Sequence, residues 1–444
     1  MEHFNPFEEK PITLDNTYMD WDTMYPQPYD KNTVNAYTKT RIILMNGTEF
    51  EAQWFSRNFS RHCKDNELRR ELACLRRTEQ QQQKRISCLK PKDENILEHT
   101  ISYEQLAVDL TAVMAQCESD CDVKNALDFA LLEDFDHLYR YSNLLNMEYN
   151  VYPEKLVGRY TEITPARPTI SEHRHPKDSI FRYADNNTSN LLTKLHINII
   201  TAAEQQTMNY YMNVAPLYCK SDLGRRLYQE IGMIEEEHVS QYESLKDPTA
   251  TWLEDLLMHE YTECYLYYSC MMTECDRRIK CIWEECLVQE IAHLHKAKEL
   301  LEKYEGKDYC EVIPNGTFPN ILELSSNIEY VRKIITATTG NTQKKSDVVG
   351  LHQLPKNDDF FWYQARVNGN GNSVASHRVI SEYIQKHGHD YRFEVAPNPL
   401  QVLRNRQSDN ASLARIPEAT PLSTSVAGKS SDCYQDYRRH FGMP

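Results

Sequence analysis

The clearest pattern in the chain is a long stretch with neither Gly nor Pro, from Asp93 to Tyr152. Apolar residues recur in it at the spacing of an amphipathic helix. The polar run at 118–122 has the composition of a turn. The pattern therefore predicts two helices, at about 95–118 and 123–149, that fold into a hairpin.

A second helical stretch covers residues 190–305, in which Pro216 and Pro248 are the only prolines. Each proline falls where a turn is needed, so four helices are predicted, at about 190–214, 222–245, 251–273 and 277–304. Residues 48–90 are also predicted to be largely helical, because Leu68, Leu72 and Leu75 recur at helical spacing. The charged residues around these leucines indicate a solvated helix with one apolar stripe.

Three segments lack a steady period. Residues 1–47 are rich in Tyr, Asp, Asn and Pro and are predicted to form an irregular arm. Residues 150–189, with several prolines and Gly158, form a long crossover within the helical domain at 48–305. Residues 306–444 are predicted to be a loop-rich C-terminal extension with one short helix, at about 376–387. The expected fold class is all-α, a helical bundle with extra helices and this extension.

Composition excludes several classes of protein. Mean hydropathy is −0.67, and no apolar run approaches the length of about 18 residues that a membrane helix needs. The net charge of −15 argues against nucleic acid or an anionic membrane as a partner. The first residues resemble no export signal, so a cytoplasmic location is expected. The 13 cysteines include no Cys-x-x-Cys pair, so neither a zinc ribbon nor a rubredoxin-type iron site is predicted.

Three of the predicted hairpins repeat one arrangement of acids and histidine. Each has a Glu on its first helix and an acid-x-x-His pair on its second: Glu104 with Asp134 and His137, Glu204 with Glu235 and His238, and Glu260 with Glu290 and His293. The spacings from the Glu to the second acid are 134−104=30, 235−204=31 and 290−260=30 residues. Because each turn lies near the midpoint, each Glu should be level with its acid-x-x-His pair, whose two members share one helix face.

The apolar neighbours of these acids indicate that they face the core. Glu204, for example, has Ile200, Met208 and Tyr211 at positions −4, +4 and +7. A buried carboxylate is unfavourable by several kcal/mol or more unless it is paired or binds metal. Several carboxylates at one height would repel each other, and a pair of divalent cations would remove that repulsion. The alternatives are surface Glu–His pairs, or buried acids that hydrogen-bond to Tyr or Arg.

This pattern resembles that of the ferritin-like di-metal carboxylate superfamily, in which two helices each supply a Glu and two others each supply Glu-x-x-His. The resemblance covers about residues 95–305. The stretch from Glu204 to Tyr211, followed by Glu235-Glu-Glu-His238, also resembles the first hairpin of rubrerythrins. The chain lacks the rubredoxin-type cysteines of that family, so an external electron donor is expected.

The resemblance implies a function as well as a fold. It implies two iron or manganese ions, bridged by carboxylates, in an oxidoreductase that activates dioxygen or peroxide. Oxygen-rich ligand sets with few imidazoles suit these ions better than copper or zinc. The alternative is non-catalytic, either metal storage or a helical scaffold with vestigial ligands.

Which hairpins would share a site is open at this stage, because three hairpins are present where two suffice. Hairpins one and two are separated by the long crossover that is typical of the family. Hairpins two and three are joined by a short link at about 246–250, which suits a simple up-down bundle. Glu204, Glu235 and His238 belong to both pairings.

Other candidate residues have simpler interpretations. The run from Glu172 to His175 could cap a metal site or bind an anion, but Pro176 and the local polarity favour a solvated loop. Glu236 and Glu237 are expected on a solvated face. Five tyrosines at helical spacing could relay electrons but are more typical of a core: Tyr210, Tyr211, Tyr265, Tyr267 and Tyr268.

Overall fold

The computed structural model describes residues 4–168, 172–369 and 374–404, and most of them are helical. The α-helices are α1 (Ala36–His62), α2 (Asn66–Ser87), α3 (Ile96–Cys117), α4 (Cys121–Tyr149), α5 (Pro153–Leu156), α6 (Leu191–Leu217), α7 (Asp222–Glu243), α8 (Trp252–Thr273), α9 (Arg277–Glu305), α10 (Ile328–Thr338), α11 (Asp359–Asn368), α12 (Ala375–His387) and α13 (Gln401–Arg404). Strands β1 (Asn341–Lys344) and β2 (Asp347–Gly350) pair as an antiparallel hairpin. The prediction of an all-α fold with extra elements is confirmed.

The eight long helices α1–α4 and α6–α9 begin where the sequence offers a capping side chain. Each follows an Asn, Asp, Ser or Thr whose side chain accepts a hydrogen bond from a backbone N–H of the first turn: Asn35, Asp65, Asn95, Asp120, Asn190, Ser221, Thr251 and Asp276. These caps satisfy N–H groups that have no partner inside the helix. They explain why the predicted helix starts lie so close to the observed ones.

Three predicted boundaries need correction. The irregular arm was expected to extend to residue 47, but α1 begins at Ala36 behind the Asn35 cap. Pro216 does not start a turn, because it lies inside the last turn of α6. The extension is less irregular than expected, since α10, the strand pair and α11 precede the predicted helix, which is observed as α12. The end of that extension, residues 405–444, lies outside the described residues.

The four long hairpins α1–α2, α3–α4, α6–α7 and α8–α9 form two nested four-helix bundles. Helices α3, α4, α6 and α7 contact one another across the crossover and are called the central bundle. Helices α1, α2, α8 and α9 form the second, called the outer bundle. One pair of hairpins is thus inserted in sequence between the two hairpins of the other.

The two bundles meet where α1 packs against α3 and α6. Glycine at position 47 permits this approach, because a Cβ there would lie 2.6 Å from Gln206 Oε1. Asn46 Nδ2 donates to that same oxygen over 3.1 Å, and Gln206 Nε2 donates to Tyr103 Oη over 2.7 Å. Polar groups therefore help to fix the register between the bundles.

The C-terminal elements cover the central bundle. Helix α12 packs against α4 and α7, and α10 packs against α4. Ile163 of the crossover forms a β-bridge with Phe393, which ties the extension to the crossover. Within the described ranges, none of the helices has the length and apolar character needed to cross a membrane.

Candidate metal centres

The residues predicted on hairpins one and two converge inside the central bundle. They come from all four helices: Glu104 from α3, Asp134 and His137 from α4, Glu204 from α6, and Glu235 and His238 from α7. Each is at most 1% exposed. Ligand atoms of Asp134, Glu204, Glu235 and His238 lie within 4.8 Å of one another, as do those of Glu104, His137 and Glu235. This cluster is called the central site.

Glu235 lies between the two histidines of the central site. Its Oε1 is 2.9 Å from His137 Nδ1, and its Oε2 is 3.2 Å from His238 Nδ1. His238 Nδ1 also lies 3.4 Å from Asp134 Oδ1 and 3.7 Å from Glu204 Oε2. Each carboxylate oxygen of Glu235 therefore faces a different imidazole, the arrangement expected of a carboxylate that bridges two ions.

Most atoms of the central site that could bind a metal ion have no hydrogen-bond partner. Both carboxylate oxygens of Asp134, Glu204 and Glu235 make no well-aligned hydrogen bond, and neither do His137 Nδ1 and His238 Nδ1, although Glu235 lies 2.9 and 3.2 Å from the two imidazoles. Buried polar atoms are nearly always paired in folded proteins. Buried oxygen and nitrogen atoms that lie close together without hydrogen-bond partners are therefore best explained by a binding site for cations.

Burial and neighbouring charges shift the pKa values of the acids in the central site. Burial and the nearby Glu235 and Asp134 raise the pKa of Glu104 well above its usual range, and burial raises the pKa of Glu204 to about 7. Burial opposes ionisation of Glu235 as well, but His137 and His238 hold its pKa at about 2. Burial and mutual repulsion thus favour the protonated forms of Glu104 and Glu204, and bound cations would displace those protons.

His238 is oriented by a second carboxylate on the side away from the central site. Its Nε2 lies 2.6 Å from Glu133 Oε2. Glu133 is in turn near Arg174 Nη1, at 3.4 Å, and Arg167 Nη1, at 3.9 Å. Burial favours the neutral acid, but His238 and Arg174 hold the pKa of Glu133 well below its usual range. A charged carboxylate at Nε2 fixes the tautomer that directs the Nδ1 lone pair at the site.

The crossover loop beside this network is buried, contrary to the solvated loop expected at 172–175. Glu172 and Arg174 are at most 1% exposed, and Arg167 Nη1 lies 2.6 Å from Glu172 Oε1. Glu237, expected on a solvated face, is also buried and lies 3.3 Å from Arg174 Nη1. Glu236 is exposed as expected. The loop supplies arginines that compensate the excess of buried acids, a role the local sequence did not reveal.

The candidates of hairpin three do not join the central site. They lie in the outer bundle with four residues that were not predicted as ligands; the whole cluster is Glu49 of α1, Glu79 and Gln82 of α2, Glu260 and Glu263 of α8, and Glu290 and His293 of α9. Ligand atoms of Glu79, Glu260 and His293 lie within 4.8 Å of one another, as do those of Glu260, Glu263 and Glu290. This cluster is called the outer site. The solvated helix expected at 48–90 is therefore half of a second bundle.

The two sites share one layout. Tyr211 donates a hydrogen bond to Glu104, and Tyr267 donates one to Glu49. Each tyrosine follows the Glu of its own helix by the same interval, 211−204=7 and 267−260=7. Both tyrosines are buried, as the core interpretation predicted.

The hairpin α1–α2, which was not predicted to supply ligands, has a recognisable spacing in the sequence. The spacing from Glu49 to Glu79 is 79−49=30 residues, the same as in two of the recognised hairpins. Gln82 stands where the motif has its histidine, so a search for acid-x-x-His passes over it. The spacing alone would have identified the hairpin had an amide been accepted in place of imidazole.

Comparison with known proteins adds no relative to this geometry. No protein-family model, curated protein or solved structure matches the chain. The functional argument therefore depends on the two clusters, on their burial and on the residues that orient them.

Proposed function

We propose that the central site binds two iron or manganese ions and that the protein is an oxidoreductase that activates dioxygen or peroxide. The observation that carries this proposal is the convergence of four buried carboxylates and two imidazoles from four helices. One Glu from each of two helices and an acid-x-x-His pair from each of the other two is the ligand pattern of ferritin-like di-metal proteins. Membership of that superfamily is part of the proposal.

The ligands divide naturally between two ions. Asp134, Glu204 and His238 would hold one, Glu104 and His137 the other, and Glu235 both, since it belongs to both groups of atoms. Four carboxylates balance the charge of two divalent cations when the histidines are neutral. One imidazole per ion among oxygen ligands favours iron or manganese.

The surrounding residues indicate what such a centre could use as substrate. When bound, a pair of these ions can pass electrons to dioxygen or peroxide. The ligands are at most 1% exposed, so a small oxidant is favoured over a bulky organic substrate. Glu133 orients His238, and Tyr211 holds Glu104 through its hydroxyl. Electrons would come from an external donor, since the sequence contains no Cys-x-x-Cys pair.

Oxidant consumption tests the proposal. Protein reconstituted with Fe²⁺ under anaerobic conditions should consume dioxygen or peroxide in proportion to the iron bound in the central site, as followed by an oxygen electrode and by ferric absorbance. The variant His238→Ala should lose most of this consumption because it lacks one of the two imidazoles. Uptake of many ions per chain would instead support storage, and bound iron that reacts with neither oxidant would contradict the oxidoreductase.

A second measurement tests the role of Glu133. The variant Glu133→Gln keeps the side chain's shape but removes the charge at His238 Nε2, so metal affinity of the central site should fall about 10–100-fold. Equilibrium dialysis with Fe²⁺ or Mn²⁺ would measure the change. Glu243→Gln, at an exposed position near the end of α7, is the control. Equal affinities in the two variants would show that Glu133 does not orient a ligand.

A further inference from the structure

The outer site differs from the central site at two ligand positions. Gln82 takes the place that His137 has in the central site, since each lies three residues after the acid of its helix. Glu263 adds a carboxylate three residues after Glu260, where α6 has Thr207 after Glu204. One imidazole is thus exchanged for one carboxylate, which makes the outer site richer in oxygen.

The outer site keeps one position with an imidazole. His293 Nδ1 lies 3.1 Å from Glu290 Oε2, 3.6 Å from Glu260 Oε2 and 3.9 Å from Glu79 Oε1. All four residues are at most 2% exposed. This half of the outer site resembles the half of the central site around His238.

The other half is rich in carboxylate oxygens and has one imidazole at its edge, since His259 Nε2 lies 3.7 Å from Glu263 Oε1. Glu260, Glu263 and Glu290 converge there, and Gln82 Nε2 donates to Glu290 Oε1 over 2.5 Å. That amide hydrogen bond occupies the oxygen of Glu290 that corresponds to the one facing His137 in the central site. The carbonyl oxygen of Gln82 is left free to act as a ligand.

Unpartnered buried atoms indicate that the outer site takes a ligand. Both oxygens of Glu260 and both oxygens of Glu263 lack a hydrogen-bond partner, and so does Gln82 Oε1. Glu260 and Glu263 are 0% exposed, so water cannot solvate them freely. Acids alone would not establish a site, but completely buried, unpartnered carboxylates that converge beside an amide oxygen do indicate a cation.

We infer that the outer bundle binds metal at a second site whose oxygen-rich position favours hard divalent cations such as Mn²⁺. Carboxylate and carbonyl oxygens favour Mn²⁺, Mg²⁺ and Ca²⁺, whereas imidazole favours the later transition metals. The ligands are Glu260, Glu263 and Glu290, with the carbonyl of Gln82. This inference does not depend on redox activity at the central site.

Mn²⁺ binding to the full chain tests the inference, followed by equilibrium dialysis and by loss of the free-ion electron paramagnetic resonance signal. The variant Glu235→Ala lacks the shared ligand of the central site and should still bind Mn²⁺. Adding Glu260→Ala should weaken that remaining binding by more than about 100-fold. This loss exceeds the one caused by mutating a residue that only hydrogen-bonds to a metal ligand. A folded Glu235→Ala protein that binds no Mn²⁺ would overturn the inference.

Two further variants keep the test decisive if the double variant does not fold. In the otherwise unchanged chain, the isosteric Glu263→Gln should lower the number of Mn²⁺ ions bound, whereas Glu236→Gln, at an exposed position, should not. Gln82→His should raise the affinity of the outer site for Zn²⁺ relative to Mn²⁺ by about tenfold or more, because it restores an imidazole. An unchanged ion count in Glu263→Gln, or an unchanged Zn²⁺ to Mn²⁺ ratio in Gln82→His, would contradict the ligand assignment.

Discussion

Replacing Glu235 by alanine should abolish binding of both proposed ions in the central bundle. Its two oxygens face His137 and His238 at 2.9 and 3.2 Å, so a single substitution removes a ligand from each proposed ion. The four-carboxylate set would also lose the charge that balances the second cation. We expect iron content to fall by about two ions per chain. Affinity for Fe²⁺ should fall more than about 100-fold, which exceeds the loss caused by mutating a residue that only hydrogen-bonds to a metal ligand.

Elemental analysis of protein purified without chelator, together with equilibrium dialysis, would measure this effect. Glu236→Ala is the matched control, because it removes the adjacent acid at an exposed position of the same helix. Retention of full iron content in Glu235→Ala would show that the convergence of these side chains serves stability rather than metal binding. Melting temperature should be measured on both variants, so that loss of metal is not confused with loss of fold.

Replacing Arg174 by methionine should lower the stability of the fold strongly. Arg174 is fully buried; its Nη1 lies 3.4 Å from Glu133 and 3.3 Å from Glu237, and its Nη2 donates to Gln241 over 3.0 Å. Methionine retains the volume near Phe129 but leaves the buried Glu237 without its cation, and it leaves Glu133 with His238 and the more distant Arg167. Breaking a buried ion pair in this way typically lowers the free energy of unfolding by about 3–5 kcal/mol.

Urea or thermal unfolding would measure the change. Arg182→Met is the control, since the Arg182 side chain is 67% exposed and its pair with Asp122 lies at the surface. An exposed pair contributes at most about 1 kcal/mol, so this variant should unfold almost like the original chain. Equal stability of the two variants would mean that the acids near Arg174 are neutral or solvated.

The nested arrangement gives the protein two related sites with different ligand sets. The tyrosine hydrogen bonds to Glu104 and Glu49 repeat between them, while Gln82 and Glu263 distinguish the outer site. The shared layout indicates that both bundles use one design, and the differences at Gln82 and Glu263 are the basis of our proposal that the two sites bind different cations. If both proposals hold, one chain would carry a redox centre and a separate site for a hard cation.

The sequence by itself determined the helices and the direction in which their acids point. Caps such as Asn95 and Asp276 mark where helices begin, because a side-chain acceptor there satisfies N–H groups of the first turn. The helical repeat placed Glu204 and Glu235 on apolar stripes, and both are buried. The equal spacing within each hairpin correctly placed each Glu level with its own acid-x-x-His pair. These features are local, so they follow from residues close together in the chain.

Only the tertiary structure decided which hairpins face each other. The pairing of Glu104 with Glu235, and of Glu49 with Glu290, joins segments far apart in sequence, and it follows from how four amphipathic stripes are buried at once. The burial of Arg174 could not be predicted either, because the sequence of a polar loop does not show which buried acids the loop contacts in the fold. The hairpin α1–α2 was not recognised because Gln82 replaces the histidine of the motif, although Gln82 occupies the corresponding position in the structure. Local periodicity fixes the face of a helix, but long-range packing selects the partner of that face.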